Sequence, residues 1–175
     1  MQTFHVEQVP ARVGYYLAGF TDGDGSFCVC FSKTNNKNSK KSWRISLHFI
    51  VGQKEEVILS QFKKHLKCGK IIELKSRNGI YEYRVDNFNA IQTNVIPFFT
   101  RFGFLSTKKK RDFLKFQQIA KVIEKNEHLT MEGIKEILKI RKDMNDGGAS
   151  QRKYSDEEIL EILGDDYVES KKDFS

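Results

Sequence analysis

The stretch Leu17-Ala18-Gly19-Phe20-Thr21-Asp22-Gly23-Asp24-Gly25-Ser26 brings an apolar helix to a stop on two carboxylates set among glycines. A helix C-terminus carries partial negative charge, so acidic side chains there are disfavoured unless a cation offsets them. Upstream, Pro10 suits the first position of a helix, and the spacing predicts one from Ala11 to Thr21. Val13, Leu17 and Phe20 follow the i, i+4, i+7 spacing of a core stripe. Ala11, Gly14 and Ala18 form a second face, where small side chains let another backbone come close. A glycine inside a helix costs about 1 kcal/mol relative to alanine, so Gly14 and Gly19 call for compensation by close helix packing.

Downstream of Gly25 the hydrophobic period changes to two. Phe27, Val29 and Phe31 alternate with Ser26, Cys28, Cys30 and Ser32. Ile45, Leu47, Phe49 and Val51 alternate with Arg44, Ser46, His48 and Ile50. These predict two strands with one buried face, joined by a loop over Lys33 to Lys41 that holds four lysines. Glu55 to Leu66 reads as an amphipathic helix through Val57, Leu59, Phe62 and Leu66. A second hairpin follows, Lys70 to Lys75 and Ile80 to Val85, turning at Asn78-Gly79, with Tyr81, Tyr83 and Val85 buried and Glu82 and Arg84 exposed. Asn87 caps a helix to about Phe99, Thr107 starts one through Glu124, and Thr130 opens another that ends near Met144. This order predicts an α+β domain over residues 1–145, αββαββα with an antiparallel sheet and C-terminal helices. Gly147-Gly148 then reads as a linker. An acidic tail follows over residues 146–175, with a capping box at Ser155 and Glu158, a short helix to Leu163 and a stop at Gly164.

The formal charge of +7 is unevenly spread: the last thirty residues carry a net −5, which leaves about +12 on the body. A basic body points to a polyanion, nucleic acid before an anionic membrane surface. Cys28, Cys30 and Cys68 are too few and too badly spaced for a zinc site or a disulfide framework and read as free thiols. No apolar run approaches the roughly 20 residues of a membrane span, and neither a secretory signal nor a transit peptide is visible ahead of the motif. Asp22-Gly23-Asp24-Gly25 begins like a calcium loop, but the twelfth residue from Asp22 is Lys33, not the bidentate glutamate that loop needs.

With Leu17-Ala18-Gly19 ahead of the carboxylates and an alternating strand behind them, the stretch resembles the signature of the LAGLIDADG homing endonucleases. It occurs once, and the resemblance spans roughly residues 10 to 145. The resemblance implies that family's fold, with two signature helices packed across a dyad, and places Ala11, Gly14, Ala18 and Gly19 at a homodimer interface. It implies that Asp24, helped by the carbonyl of Gly23, binds Mg²⁺ (or Mn²⁺, with Ca²⁺ supporting binding without cleavage). It also implies that Gln53 orders an attacking water and that Lys108, leading Lys108-Lys109-Lys110-Arg111, is the active-site lysine; Asp22 is left open between a further metal ligand and a cap or brace of the turn. The exposed sheet face would read double-stranded DNA in the major groove, since a two-stranded ribbon fits there. The candidate readers are Ser32, Arg44, Ser46, His48, Lys75, Arg77, Glu82 and Arg84, with Lys37, Lys40 and Lys41 on phosphates and Cys28, Cys30 and Ile50 as apolar contacts. The function so implied is site-specific hydrolysis of both strands of a long pseudo-palindromic target by an intron-encoded, organellar enzyme. Two alternatives stay open: a maturase that binds RNA or a non-cleaving DNA-binding regulator of the same fold, and one half of a two-motif protein. Asp112-Phe113 and His128-Leu129-Thr130 resemble the C-terminal half of fungal two-motif members.

Overall fold

The computed structural model describes residues 4–34, 42–75, 79–147 and 152–161. Lys37, Lys40, Lys41, Arg77, Asn78, Gly148 and the helix end predicted at Leu163-Gly164 lie outside them. The first helix, α1, runs Ala11–Asp24 and passes directly into β1, Gly25–Thr34. It continues a turn beyond the predicted Thr21 because the hydroxyl of Thr21 donates to the Leu17 carbonyl, 2.9 Å away in the core, and so folds back on the helix instead of breaking it. Both carboxylates therefore belong to the last helical turn. Gly25 ends the helix where a side chain would strike Thr21.

β2 (Ser42–Gln53) pairs antiparallel with β1, setting Phe27 opposite Phe49 and Cys28 opposite His48. After α2 (Glu56–Leu66), β3 (Lys70–Glu73) and β4 (Tyr81–Val85) complete one antiparallel sheet of order β1-β2-β4-β3. β3 stops two residues short of the predicted Lys75, and Lys75 lies exposed in the turn. The next helical run begins at Asn87, whose side chain accepts from the Ala90 N–H. It consists of α3 (Phe88–Ala90), a wider π-type turn (Ile91–Val95) and α4 (Ile96–Phe102). Pro97 has no N–H for an i→i−4 bond and crowds the preceding turn, which accounts for the widening. α5 (Thr107–Glu124) is capped by Ser106 and α6 (Met131–Arg141) by Thr130.

The helices cover one face of the sheet, and Phe27 is the hub beneath them. Its ring touches those of Phe49, Phe99, Phe104, Phe113 and Phe116 at centroid separations of 5.1–5.8 Å. The segment predicted as an acidic tail joins this core. Its capping box forms in both directions between Ser155 and Glu158. Ile159 is 0% exposed, Tyr154 packs edge-on against Trp43, and the buried Arg141 pairs with Asp156.

Candidate active site and nucleic-acid face

The end of α1 holds two carboxylates with different surroundings. Asp22 is half-buried and accepts from the backbone N–H groups of Leu105 and Ser106, each at 2.9 Å, and from the Ser106 hydroxyl. Burial pushes its carboxyl pKa up, but the Ser106 side-chain bond and the two backbone bonds together outweigh that and hold it below the ordinary value. Asp22 is thus a brace between α1 and the start of α5. Asp24 is exposed, beside the exposed Gly23, and its Oδ2 accepts from the Gln53 side-chain amide at 2.8 Å. Gln53 can reach it because β2 ends level with the start of β1, where Gly25 lies opposite Val51.

Among the described residues Lys109 donates into this turn, next to Lys108, which the resemblance gave as the active-site lysine. Lys109 is 7% exposed and its ammonium donates to the Gly25 carbonyl, while Lys108 sits exposed on the first turn of α5. Helical geometry explains the difference. Lys109, Phe113 and Phe116 lie at i, i+4, i+7 on the buried stripe, and Lys108 is about 100° away from it. That periodicity was a usable signal in the sequence. Burial pushes the Lys109 pKa down. The charge of Asp112 works against this, Lys108 adds to it, and Asp22 opposes it. Asp112 is itself 1% exposed, and neither carboxylate oxygen has a hydrogen-bond partner among the described residues.

The small face of α1 is a correction. Gly14 and Ala18, expected at an interface with a second helix, are buried inside their own chain. A Cβ on Gly14 would lie 2.2 Å from the Phe102 ring, so the close approach that this glycine permits is to α4. Gly14, Leu17, Ala18 and Thr21 form the buried stripe, a rotation from the predicted Val13, Leu17 and Phe20. Ala11 and Gly19 are exposed. The open face, however, is Arg12, Tyr16, Gly19 and Gly23, with Tyr15 and Tyr16 each at least 60% exposed.

The sheet face away from the helices carries most of the candidate readers. Ser32 lies opposite Arg44, Cys30 opposite Ser46 and Cys28 opposite His48; Ile50 lies opposite Arg84, and Gly52 opposite Glu82. Burial pushes the Cys28 and Cys30 thiols up, so they present neutral groups. His48 bonds Ser46 at 2.8 Å, and its pKa is pushed down first by burial and then by Arg84. Lys70 pairs with Asp86 at 2.8 Å. Glu82, predicted exposed, is 9% exposed and bonded to Arg84. Alternation along a strand assigns its face correctly but not its burial.

Residues 17–120 match the family model described as LAGLIDADG endonuclease. A probable intron-encoded endonuclease 2 of Neurospora crassa is 29% identical over 150 residues, covering 84% of this chain and 32% of that protein. An uncharacterized cox1 intron-2 protein of Schizosaccharomyces pombe is 33% identical over 134 residues, 75% of this chain and 39% of its own length. The chain therefore spans less than half the length of either curated relative. Among solved structures, an archaeal intron-encoded homing endonuclease complexed with DNA, I-Vdi141I, superposes with a TM-score of 0.73 at 31% identity, covering 88% of this chain and 95% of that one. The meganuclease I-SmaMI bound to uncleaveable DNA gives 0.69 at 34% identity, covering 77% of this chain and 45% of that one. With the signature helix, the sheet topology and a match over 17–120 in agreement, this chain belongs to the LAGLIDADG endonuclease family.

Proposed function

We propose that the chain is a metal-dependent, site-specific DNA endonuclease, in which two Asp24 turns, one from each motif helix, serve the two strands of one target. The observation that carries this reading is the Gln53–Asp24 hydrogen bond. It fixes an exposed carboxylate at the negative end of a helix through a donor that brings no charge, so the turn stays electrostatically unbalanced. Carboxylate and carbonyl oxygens at Asp24 and Gly23 suit a hard divalent cation such as Mg²⁺ or Mn²⁺. One motif helix brings the Asp24 carboxylate and the Gly23 carbonyl, and in this reading a second motif helix brings the matching pair. When bound, such an ion supplies Lewis acidity at the scissile phosphate.

The remaining work falls to side chains of this chain. Gln53 orients Asp24, Asp22 anchors the helix end to the α4–α5 loop, and Lys109 brings positive charge to the Gly25 carbonyl without filling the open side of Asp24. The face of Arg12, Tyr16, Gly19 and Gly23 accepts the second helix, since Gly19 has nothing within 4 Å of where a Cβ would stand. The sheet presents Arg44 and Arg84 for guanine edges, with Cys28, Cys30 and Ile50 as apolar contacts for thymine methyls. DNA as substrate is carried over from the DNA-bound relatives, and an organellar, intron-encoded origin from the curated ones.

The partner helix comes from a second copy in this reading. Coverage of 95% of the archaeal enzyme supports that reading, whereas coverage of 45% of I-SmaMI supports a second one, that the chain is one half of a two-motif protein. Selecting cut and bound duplexes from a randomised DNA pool, with Mg²⁺ and separately with Ca²⁺, tests the function, and solution mass separates the two readings. We expect pseudo-palindromic sites cut on both strands with Mg²⁺, bound uncut with Ca²⁺, by a dimer. Asp24→Asn binds the same sites and does not cut. Cleavage by Asp24→Asn at the parent rate removes the assigned site, and a monomer enriching only half-sites supports the second reading.

A further inference from the structure

Within the sheet face, one pair of side chains differs from the rest in how firmly it is held. Arg84 donates from Nε to Glu82 Oε1 at 2.6 Å, and its Nη2 lies 2.6 Å from the same oxygen. The Glu82 side chain is 11% exposed and that of Arg84 32%, whereas the neighbouring Lys70–Asp86 pair is 55% and 39% exposed. The exposed pair exchanges readily with solvent, as surface pairs do. The buried one does not, because parting it would strand a carboxylate out of water.

The geometry points to Glu82 as a positioning residue that locks Arg84 into one rotamer for end-on recognition of a guanine; this rests on the DNA-reading function proposed above. An arginine has five N–H donors in a rigid fork. Glu82 occupies Nε–H and one Nη2–H, which leaves one Nη2–H and both Nη1–H groups at the outer end. That end matches the O6 and N7 acceptors of guanine in the major groove. Arg84 sits between Ile50 on β2 and Lys70 on β3, so the outer end projects from the middle of the sheet and not from its rim. His48, Lys70 and Asp86 complete the charged surroundings, with Lys70 already paired to Asp86. Fixing the fork beforehand spares the ordering cost of a long side chain on binding. Glu82 does not itself read a base in this arrangement: its Oε1 is engaged by Arg84, and its side chain lies at the floor of the face, 11% exposed.

The test is site selection from the randomised duplex pool with Ca²⁺, using the full chain and the variants Arg84→Ala, Glu82→Gln and Arg84→Ala/Glu82→Gln. Arg84→Ala is expected to lower guanine preference at one position of the half-site by about tenfold, the loss of a bidentate contact. Glu82→Gln keeps size and burial but loses the charge, and is expected to flatten that same position several-fold while the others keep their preferences. The double variant should be no flatter than Arg84→Ala alone. Each preference is a ratio within one protein sample, so a reduced folded fraction lowers the amount of duplex bound, leaves the ratios unchanged and does not imitate the effect. Glu82→Gln leaving guanine preference intact, altering a different position or a cytosine, or weakening every position equally overturns the assignment of Glu82. Failure of the unmodified chain to enrich any sequence overturns the DNA-reading function, and the positioning role with it.

Discussion

Alanine at Gly14 and alanine at Gly19 distinguish packing within the chain from packing between helices. A Cβ on Gly14 meets three atoms of the Phe102 ring at 2.2–2.5 Å. The ring cannot retreat inward, because Phe98 stands 4.9 Å from it between centroids and Tyr15 meets it edge-on at 5.4 Å. Overpacking a filled core costs about 1–3 kcal/mol, here about 2–3 kcal/mol because three ring atoms lie within 2.5 Å, and alanine returns about 1 kcal/mol of helix propensity, so the net loss is about 1–2 kcal/mol. At about 2–4 °C per kcal/mol for a chain of this length, Tm falls by roughly 2–8 °C. At Gly19 a Cβ meets nothing within 4 Å, so alanine there stabilises the isolated chain by up to about 1 kcal/mol. If a second helix seats on Gly19, the same methyl weakens association. Thermal melts at two protein concentrations, paired with sedimentation, separate these effects. The Gly14→Ala loss is independent of concentration, and the Gly19→Ala effect changes sign or size with it. A neutral Gly14→Ala, or a Gly14→Ala whose only defect is loss of dimer, refutes the packing of α1 on α4 and returns Gly14 to the interface.

Lys109→Met should abolish cleavage of the selected site while Lys108→Met retains it, as measured by single-turnover cutting. The Lys109 pKa is depressed, so between its folded value and 10.5 the unfolded chain binds more protons and stability rises with pH; Lys109→Met should remove that alkaline gain in urea melts at several pH values. The Asp22 pKa is lowered as well, there in favour of the charged form. Its stabilisation is present above 3.8 and is lost as pH falls through the folded value, so Asp22→Asn should flatten the acid limb of the stability profile. Ile159→Ala should cost about 2–5 kcal/mol, because it empties a fully buried site, and an unchanged denaturation midpoint would detach residues 152–161 from the core.

The fold was legible where the hydrophobic period was unambiguous. Phe27, Val29 and Phe31 and their partners on β2 alternate cleanly, and the register sets them face to face. Caps at Asn87, Thr130 and Ser155 were legible because a short polar side chain before an apolar run has few other uses. Small residues were harder to read. Gly14 and Gly19 look alike in the sequence, and only the position of Phe102, 88 residues away from Gly14, decides which is buried. Helical phase separates the buried Lys109 from the exposed Lys108, whereas Lys108 was named on the family resemblance. The Glu82–Arg84 pair and the docking of Ile159 depend on burial, which is a property of neighbours brought from elsewhere in the chain.

The two carboxylates at the end of α1 carry opposite electrostatic roles. Asp22 sits where three donors from residues 105 and 106 converge, and the charge of Lys109 opposes its own. Its negative charge is therefore met inside the chain, and the penalty of the helix dipole is offset there. Lys109 is then fully engaged, with its ammonium on the Gly25 carbonyl and Asp112 buried behind it. Among the described residues the hydrogen bond to Asp24 comes from the neutral amide of Gln53. Bringing a second motif helix against Gly19 and Gly23 would set two such turns side by side and add their potentials in one small volume. Association through that face should accordingly be stronger with Mg²⁺ or Ca²⁺ present, and Asp24→Asn should dimerise without either ion. Sedimentation with and without EDTA measures this directly, and a dimer of the unmodified chain that is as tight in EDTA as in Mg²⁺ would show that the two Asp24 turns do not meet.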